Sequence, residues 1–181
     1  MRKLILQMQC TLDGFISGPN RDLKWIFPDF DKCWENWAED ALWQAGAHLM
    51  GRVTYHDMAA HWPSSKEPYA PPMNQIPKIV FSRTLKCAQW QDTEILAGDL
   101  ATEIARLKRE PGKELLAHGG VTFARSLVAT GLIDEYRLVV HPIALGQGAS
   151  LFAKLAAPMR SRLVKSVPFK TGLTVNVFQP A

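Results

Sequence analysis

The sequence predicts an α/β domain, with a mainly parallel sheet between helical layers and an antiparallel hairpin at one edge. Three observations carry that reading. Segments with the two-residue apolar alternation of strands take turns with segments whose apolar residues recur at three and four. Glycine or proline stands at most of the changes from one pattern to the other. The last two strand-like segments meet around Thr171-Gly172 with no helix between them, which makes them antiparallel neighbours.

Taken in order, residues 3–9 alternate as the first strand, and T-L-D-G-F-I-S-G-P-N follows as a loop. From about Asp29 to Ala45, Trp34, Trp37, Ala38, Ala41 and Leu42 fall on one helical face, with Gly46 as the stop. Ala47 to Met50 is a short strand, and Gly51-Arg52-Val53-Thr54 opens a helix that reaches about His61. Pro63, Pro68, Pro71 and Pro72 read as a long loop. Lys78 to Ser82 and Thr93 to Leu96 are strands, and Asp99 caps a helix that runs to Arg109 before Pro111 and Gly112. Glu114 to Ala117 is a strand, His118-Gly119-Gly120 turns into a further helix, and strands follow near residues 135–141, 162–167 and 173–178. No internal linker appears, so residues 1–181 read as a single domain.

Composition narrows the function classes. Hydrophobic residues make up 47% and charged residues 21% of 181, which suits one packed core and excludes disordered and low-complexity chains. No apolar run approaches the ~18 residues that span a bilayer, and Gln7 and Gln9 interrupt any signal-peptide core, so a cytoplasmic location is expected. Cys10, Cys33 and Cys87 form no pair or metal-binding spacing and are expected as buried free thiols, and no metal site is readable. The net charge is +4, yet residues 136–181 hold six basic residues (Arg137, Lys154, Arg160, Arg162, Lys165, Lys170) and no acid. Without a basic run or a stacking pattern, a solvated sheet face explains them better than nucleic-acid binding.

Two strand-to-helix junctions carry chemistry. At Gly51, unpaired backbone N–H groups and the positive end of a helix invite an anion, with Arg52 as a permanent fork of donors and Thr54 as a hydroxyl. The plainer alternative is a turn glycine, a solvated charge and a cap. At His118-Gly119-Gly120-Val121-Thr122, paired glycines let phosphates approach the backbone, or else serve a tight turn. Neither this pair nor Gly146-Gln147-Gly148 completes G-x-G-x-x-G, so a standard dinucleotide-binding fingerprint is absent. Two such helix starts, with Ser82-Arg83-Thr84 at a third strand end, suit a ligand with phosphates at two places, as NADPH has.

T-L-D-G-F-I-S-G-P-N, L-M-G-R-V-T-Y, K-I-V-F-S-R-T-L, H-G-G-V-T-F-A-R-S-L, G-L-I-D-E-Y-R-L-V-V-H-P-I-A-L-G-Q-G and S-L-F, in this order, resemble the dihydrofolate reductase-like superfamily. The nearest branch is the C-terminal reductase domain of the bacterial riboflavin-pathway deaminase-reductase and its stand-alone relatives. The resemblance implies a dihydrofolate reductase-like three-layer α/β/α fold and NADPH lying across the carboxyl ends of the strands. It implies that Gly51, Arg52 and Thr54 hold the adenosine side with its 2′-phosphate, helped by Ser82, Arg83 and Thr84. Gly119, Gly120 and Thr122 would hold the diphosphate, and the loop Leu12 to Asn20 would cover the nicotinamide.

Asp22, in R-D-L-K-W, resembles the carboxylate that follows the mobile loop of pterin reductases; walled by Trp25, it would be the proton donor. A solvated turn residue is the other reading of Asp22, while Asp13 reads as a loop anchor and Asp134 and Glu135 as structural. The implied activity is NADPH-dependent reduction of a pteridine-like or ribosylaminopyrimidine-like small molecule, of the 5-amino-6-(5-phosphoribosylamino)uracil reductase type, in a homodimer built on the C-terminal hairpin. The alternatives are a small-molecule or nucleotide-binding protein without turnover on the same scaffold and, behind it, a basic nucleic-acid binder.

Overall fold

The computed structural model describes residues 1–153 and 155–181, so Lys154 lies outside the described residues. In chain order the elements are β1 (Leu4–Thr11), β2 (Phe15–Ser17), α1 (Lys32–Trp43), β3 (Ala45–Gly51), α2 (Arg52–His61), α3 (Ala70–Gln75), β4 (Lys78–Phe81) and β5 (Thr93–Leu96). They continue with α4 (Leu100–Arg109), β6 (Glu114–Ala117), α5 (Val121–Thr130), β7 (Glu135–His141), β8 (Ala149–Ser150), β9 (Ser161–Pro168) and β10 (Thr174–Pro180). Short 3-10 helices occupy Pro19–Arg21, Lys24–Asp29 and Trp62–Ser64. The main sheet runs β5-β4-β3-β6-β1-β7-β10-β9, and β2 pairs with β8 apart from it. Its first six strands are parallel, while β10 pairs antiparallel with both β7 and β9.

The alternation in β1 sorts the two faces. Leu4, Leu6 and Met8 pack with Ile104 and Leu107 of α4 and with Phe123 and Leu127 of α5. Ile5 faces the other way, into Leu42, Tyr55 and Met73 of α1, α2 and α3. Trp34 and Ala38 of α1 cover Val139, Val175 and Val177. Truncating a fully buried leucine such as Leu127 would cost about 2–5 kcal/mol.

Several boundaries differ from the sequence expectation. β1 runs on to Thr11, because β7 pairs with it as far as His141. α1 begins at Lys32 rather than about Asp29, because Asp31 supplies the cap by accepting the Trp34 N–H at 2.8 Å. Gly46 does not end the helix; it lies inside β3, where the ladder to β6 shifts register. The proline stretch contains α3, since Pro71 and Pro72 sit in its first turn, where no intrahelical N–H is required. β2 and β8, of three and two residues, are too short to show a period in the sequence.

Cys10 is buried, but Cys33 and Cys87 are exposed. The basic C-terminal segment is not uniformly solvated either: Arg137 is 11% exposed and paired with Glu135 at 2.8 Å. In the terminal hairpin, Leu173, Val175 and Val177 are buried in the chain's own core, while Leu163 and Val164 on the edge strand β9 are about half exposed. No helix among the described residues is long and apolar enough to cross a membrane.

Candidate active site

The carboxyl ends of β3, β4, β5 and β6, together with the later part of β1, border one open cleft of about 1240 Å³. Its wall contains Gly51, Arg52, Thr54, Ser82, Arg83, Gly119, Gly120 and Thr122, so eight of the nine residues expected at a cofactor share one cavity. Thr84 stands outside it. β4 stops at Phe81, and Ser82 Oγ accepts the N–H groups of Thr84 and Leu85 at 3.2 and 2.9 Å, closing a turn that leaves Thr84 off the cleft wall.

The helix starts differ in a way that matters for an anion. α1 and α4 are capped by aspartates, Asp31 and Asp99. α2 and α5, which open on the cleft, begin after Gly51 and Gly120 with no side-chain cap and no acid in the first turn. Their terminal N–H groups and positive helix ends are left for a ligand. Among the described residues neither Arg52 nor Arg83 makes an ion pair.

Packing of these starts depends on the glycines. A Cβ on Gly51 would lie 2.9 Å from Phe123 Cβ of α5. Gly120 has φ +100°, and a Cβ there would lie 2.5 Å from Thr54 Oγ1. Thr54 donates its hydroxyl to the Gly119 carbonyl at 2.8 Å, tying the first turn of α2 to the turn before α5. Its role in the structure is therefore a clamp between the two junctions.

His118 carries a connection that sequence reading missed. His118 Nε2 is 2.8 Å from His48 Nδ1, and His48 Nε2 is 3.2 Å from the Pro72 carbonyl. A carbonyl only accepts, so His48 is protonated at Nε2 and accepts at Nδ1 from His118 Nε2–H. Burial pushes His48 down to about 4 and His118 well below the usual imidazole value, so both rings stay neutral. The fully buried Lys78 beside them donates to the Asn74 carbonyl at 2.7 Å and lies over the Trp90 ring.

At the other end of the cleft stand Gln7, Gln9, Ile16, Leu23 and Ile26. Gln9 meets His141, whose Nε2 is 2.8 Å from Gln9 Oε1 and whose Nδ1 is 2.7 Å from Asp29 Oδ2. Burial lowers the His141 pKa, opposed by the hydrogen bond and charge of Asp29. The loop expected to cover a nicotinamide contains β2, with Ile16, Ser17 and Gly18 in the cleft wall. Asp13 anchors it, accepting from Thr11 Oγ1 and from the N–H groups of Leu145 and Gly146. The walled carboxyl expected at Asp22 is not found: Asp22 is exposed, accepts the Lys24 N–H at 3.1 Å in a local turn, and is absent from the cleft wall. Among the described residues no cluster of His, Cys, Asp and Glu could hold a metal.

This arrangement can be set beside known proteins. The pattern of the RibD C-terminal domain matches residues 2–175. The chain belongs to the RibD C-terminal domain family. Protein YyaP of Bacillus subtilis is 30% identical over 183 residues, covering 98% of this chain and 94% of its own. A solved protein of Shewanella sp. PV-4 ascribed to riboflavin biosynthesis superposes with a TM-score of 0.78 at 23% identity, covering 99% of both chains. The Thermotoga maritima diaminohydroxyphosphoribosylaminopyrimidine deaminase/5-amino-6-(5-phosphoribosylamino)uracil reductase gives a TM-score of 0.70 at 17% identity. The likeness covers 99% of this chain but only 57% of that larger one. The RibD C-terminal fold, with its mainly parallel sheet and antiparallel final strands, is thus the fold found here.

Proposed function

We propose that the cleft binds NADPH and that the protein is an NADPH-dependent oxidoreductase acting on a small heterocycle of the pteridine-like or ribosylaminopyrimidine-like class. The observation that carries the reading is the pair of uncapped, acid-free helix starts, α2 and α5, opening on one cleft beside two unpaired arginines. A volume of about 1240 Å³ exceeds the ~300–1,000 Å³ of ordinary ligand pockets and leaves room for a dinucleotide and a second molecule. Arg52, with Arg83, would hold the 2′-phosphate. The start of α5, with Gly119, Gly120 and Thr122, would hold the diphosphate. NADPH, when bound, supplies the hydride. The chain's own contribution is alignment and shielding: Ile16, Leu23 and Ile26 exclude water, and the Gln7 and Gln9 carboxamides orient the acceptor.

Asp22 is the proton donor that the family resemblance offers, and its exposure favours solvent water delivering the proton through the open cleft instead. A binding protein without turnover would combine an exposed Asp22 with no room for a substrate. Here the cleft continues past the phosphate subsites to Gln7, Gln9 and Ile26, which favours the enzyme. The reading is tested by titrating the protein with NADPH and NADH and following NADPH oxidation against pteridine and aminopyrimidine substrates. NADPH binding with oxidation by one class supports it, and failure to bind NADPH refutes it.

A further inference from the structure

We infer that Gln7 and Gln9 of β1 decide which ring the cleft accepts, by reading an uncharged edge where a ring N–H stands beside a C=O. The inference rests on the proposed function only in placing a small heterocycle in this cleft.

Leu6 is the last residue of β1 paired with β6, at Ala117; from Gln7 onward that side of β1 borders the cleft. Gln7 and Gln9 are two apart and share a face. Gln7 Oε1 is shielded from solvent and has no hydrogen-bond partner among the described residues. An orphan acceptor bears its full desolvation cost unless a donor arrives, and no described group supplies one. Its complement is a neutral N–H or O–H group on a bound molecule.

Gln9 is the opposite case, being held. Its carboxamide meets His141, His141 meets Asp29, and the imidazole is fully buried, with Trp25 edge-on at 5.2 Å. That chain joins three separate elements and ends on a carboxamide in the cleft wall. Gln9 Oε1 only accepts, so it takes the His141 Nε2–H, and the amino end of the carboxamide is the donor left for the cleft in a set orientation. Asp29 and His141 are positioning residues in this scheme, since neither lines the cleft. The two carboxamides together match a lactam edge, as paired donors and acceptors on a planar ring do elsewhere. Leu23 and Ile26 supply an apolar wall of the kind a flat ring packs against.

The test uses lumazine, a fluorescent bicyclic dione with ring N–H groups, and 1,3-dimethyllumazine, which carries methyls in their place. Each is titrated into the wild type, Gln7→Leu, Gln7→Met and Gln9→Leu, with NADPH titrated separately. The wild type is expected to bind lumazine at least about tenfold more tightly than the methylated ring, the worth of one well-made hydrogen bond. In Gln7→Leu and Gln9→Leu the ratio should fall to about one while NADPH affinity stays unchanged. Gln7→Leu should also melt no lower than the wild type, because it removes an orphan polar group. If it melts lower, the near-isosteric Gln7→Met decides by the same ratio. A wild type that binds neither ring or does not discriminate, a preference that survives the Gln7 substitutions, or a loss of NADPH affinity instead would each overturn the inference. Ring discrimination without any NADPH binding would leave this inference standing and refute the proposed function alone.

Discussion

A buried histidine is a poor place for a charge, and His48 and His118 are both buried. Their hydrogen-bonded line from the Pro72 carbonyl to His118 fixes the ring next to the Gly119-Gly120 turn. His48→Leu would strand the His118 Nε2–H and should destabilise the protein by about 1–3 kcal/mol, measurable by denaturant unfolding. The pH dependence follows from the same burial. The folded pKa of His48 is lowered to about 4, so the unfolded chain binds more protons between that value and the usual 6.5. Stability should be complete above pH 6.5 and decline as pH falls from there toward 4, and His48→Leu should flatten that decline. A melting temperature equal at pH 7 and pH 4.5 would contradict the assignment. Asp22 gives the opposite expectation: with its carboxylate exposed, Asp22→Asn should keep turnover within about twofold. A loss of 10²-fold, the scale of a lost general acid, would restore it as the proton donor.

Between elements, the clamp from Thr54 to Gly119 makes α2 and α5 one unit. Gly120→Ala places a methyl on Thr54 Oγ1 at φ +100°, and should cost about 1–3 kcal/mol of stability and weaken NADPH binding. Pairing it with Thr54→Ala relieves the clash but not the dihedral strain, so part of the stability should return. Strictly additive losses in that double-mutant cycle would show that the two junctions are not coupled. These junctions were legible in the sequence because they are local: glycine at a strand-to-helix change, with Asp99 capping the next helix, is written in consecutive residues. The Asp29–His141–Gln9 chain was not legible, because its partners are 112 and 132 positions apart: the pairing of β1 with β7 brings Gln9 to His141, and the 3-10 helix Lys24–Asp29 brings Asp29. α3 was hidden for another reason: prolines signal both a loop and the first turn of a helix, and only packing of Met73 under Trp90 and Tyr55 separates the two.

Over the whole molecule, the sheet leaves its two ends differently finished. The β5 end borders the cleft through Leu96, while β9 ends the sheet with seven of its eight residues exposed, Leu163 and Val164 among them. An uncovered strand of that length invites pairing with a second copy. Light scattering should therefore return twice the 20.3 kDa of one chain at micromolar concentration, and Leu163→Lys with Val164→Lys should shift it toward a monomer. A monomer for the wild type would refute the pairing while leaving the cleft reading intact.

Cofactor recognition is tested most directly by fluorescence titration of the wild type and Arg52→Ala with NADPH and with NADH. If the α2 start holds the 2′-phosphate, the wild type prefers NADPH. Arg52→Ala then loses about 2 kcal/mol toward NADPH, near 30-fold, with NADH affinity almost unchanged. Equal affinity of the wild type for the two nucleotides, or an Arg52→Ala variant that keeps the preference, would contradict the assignment of this cleft end.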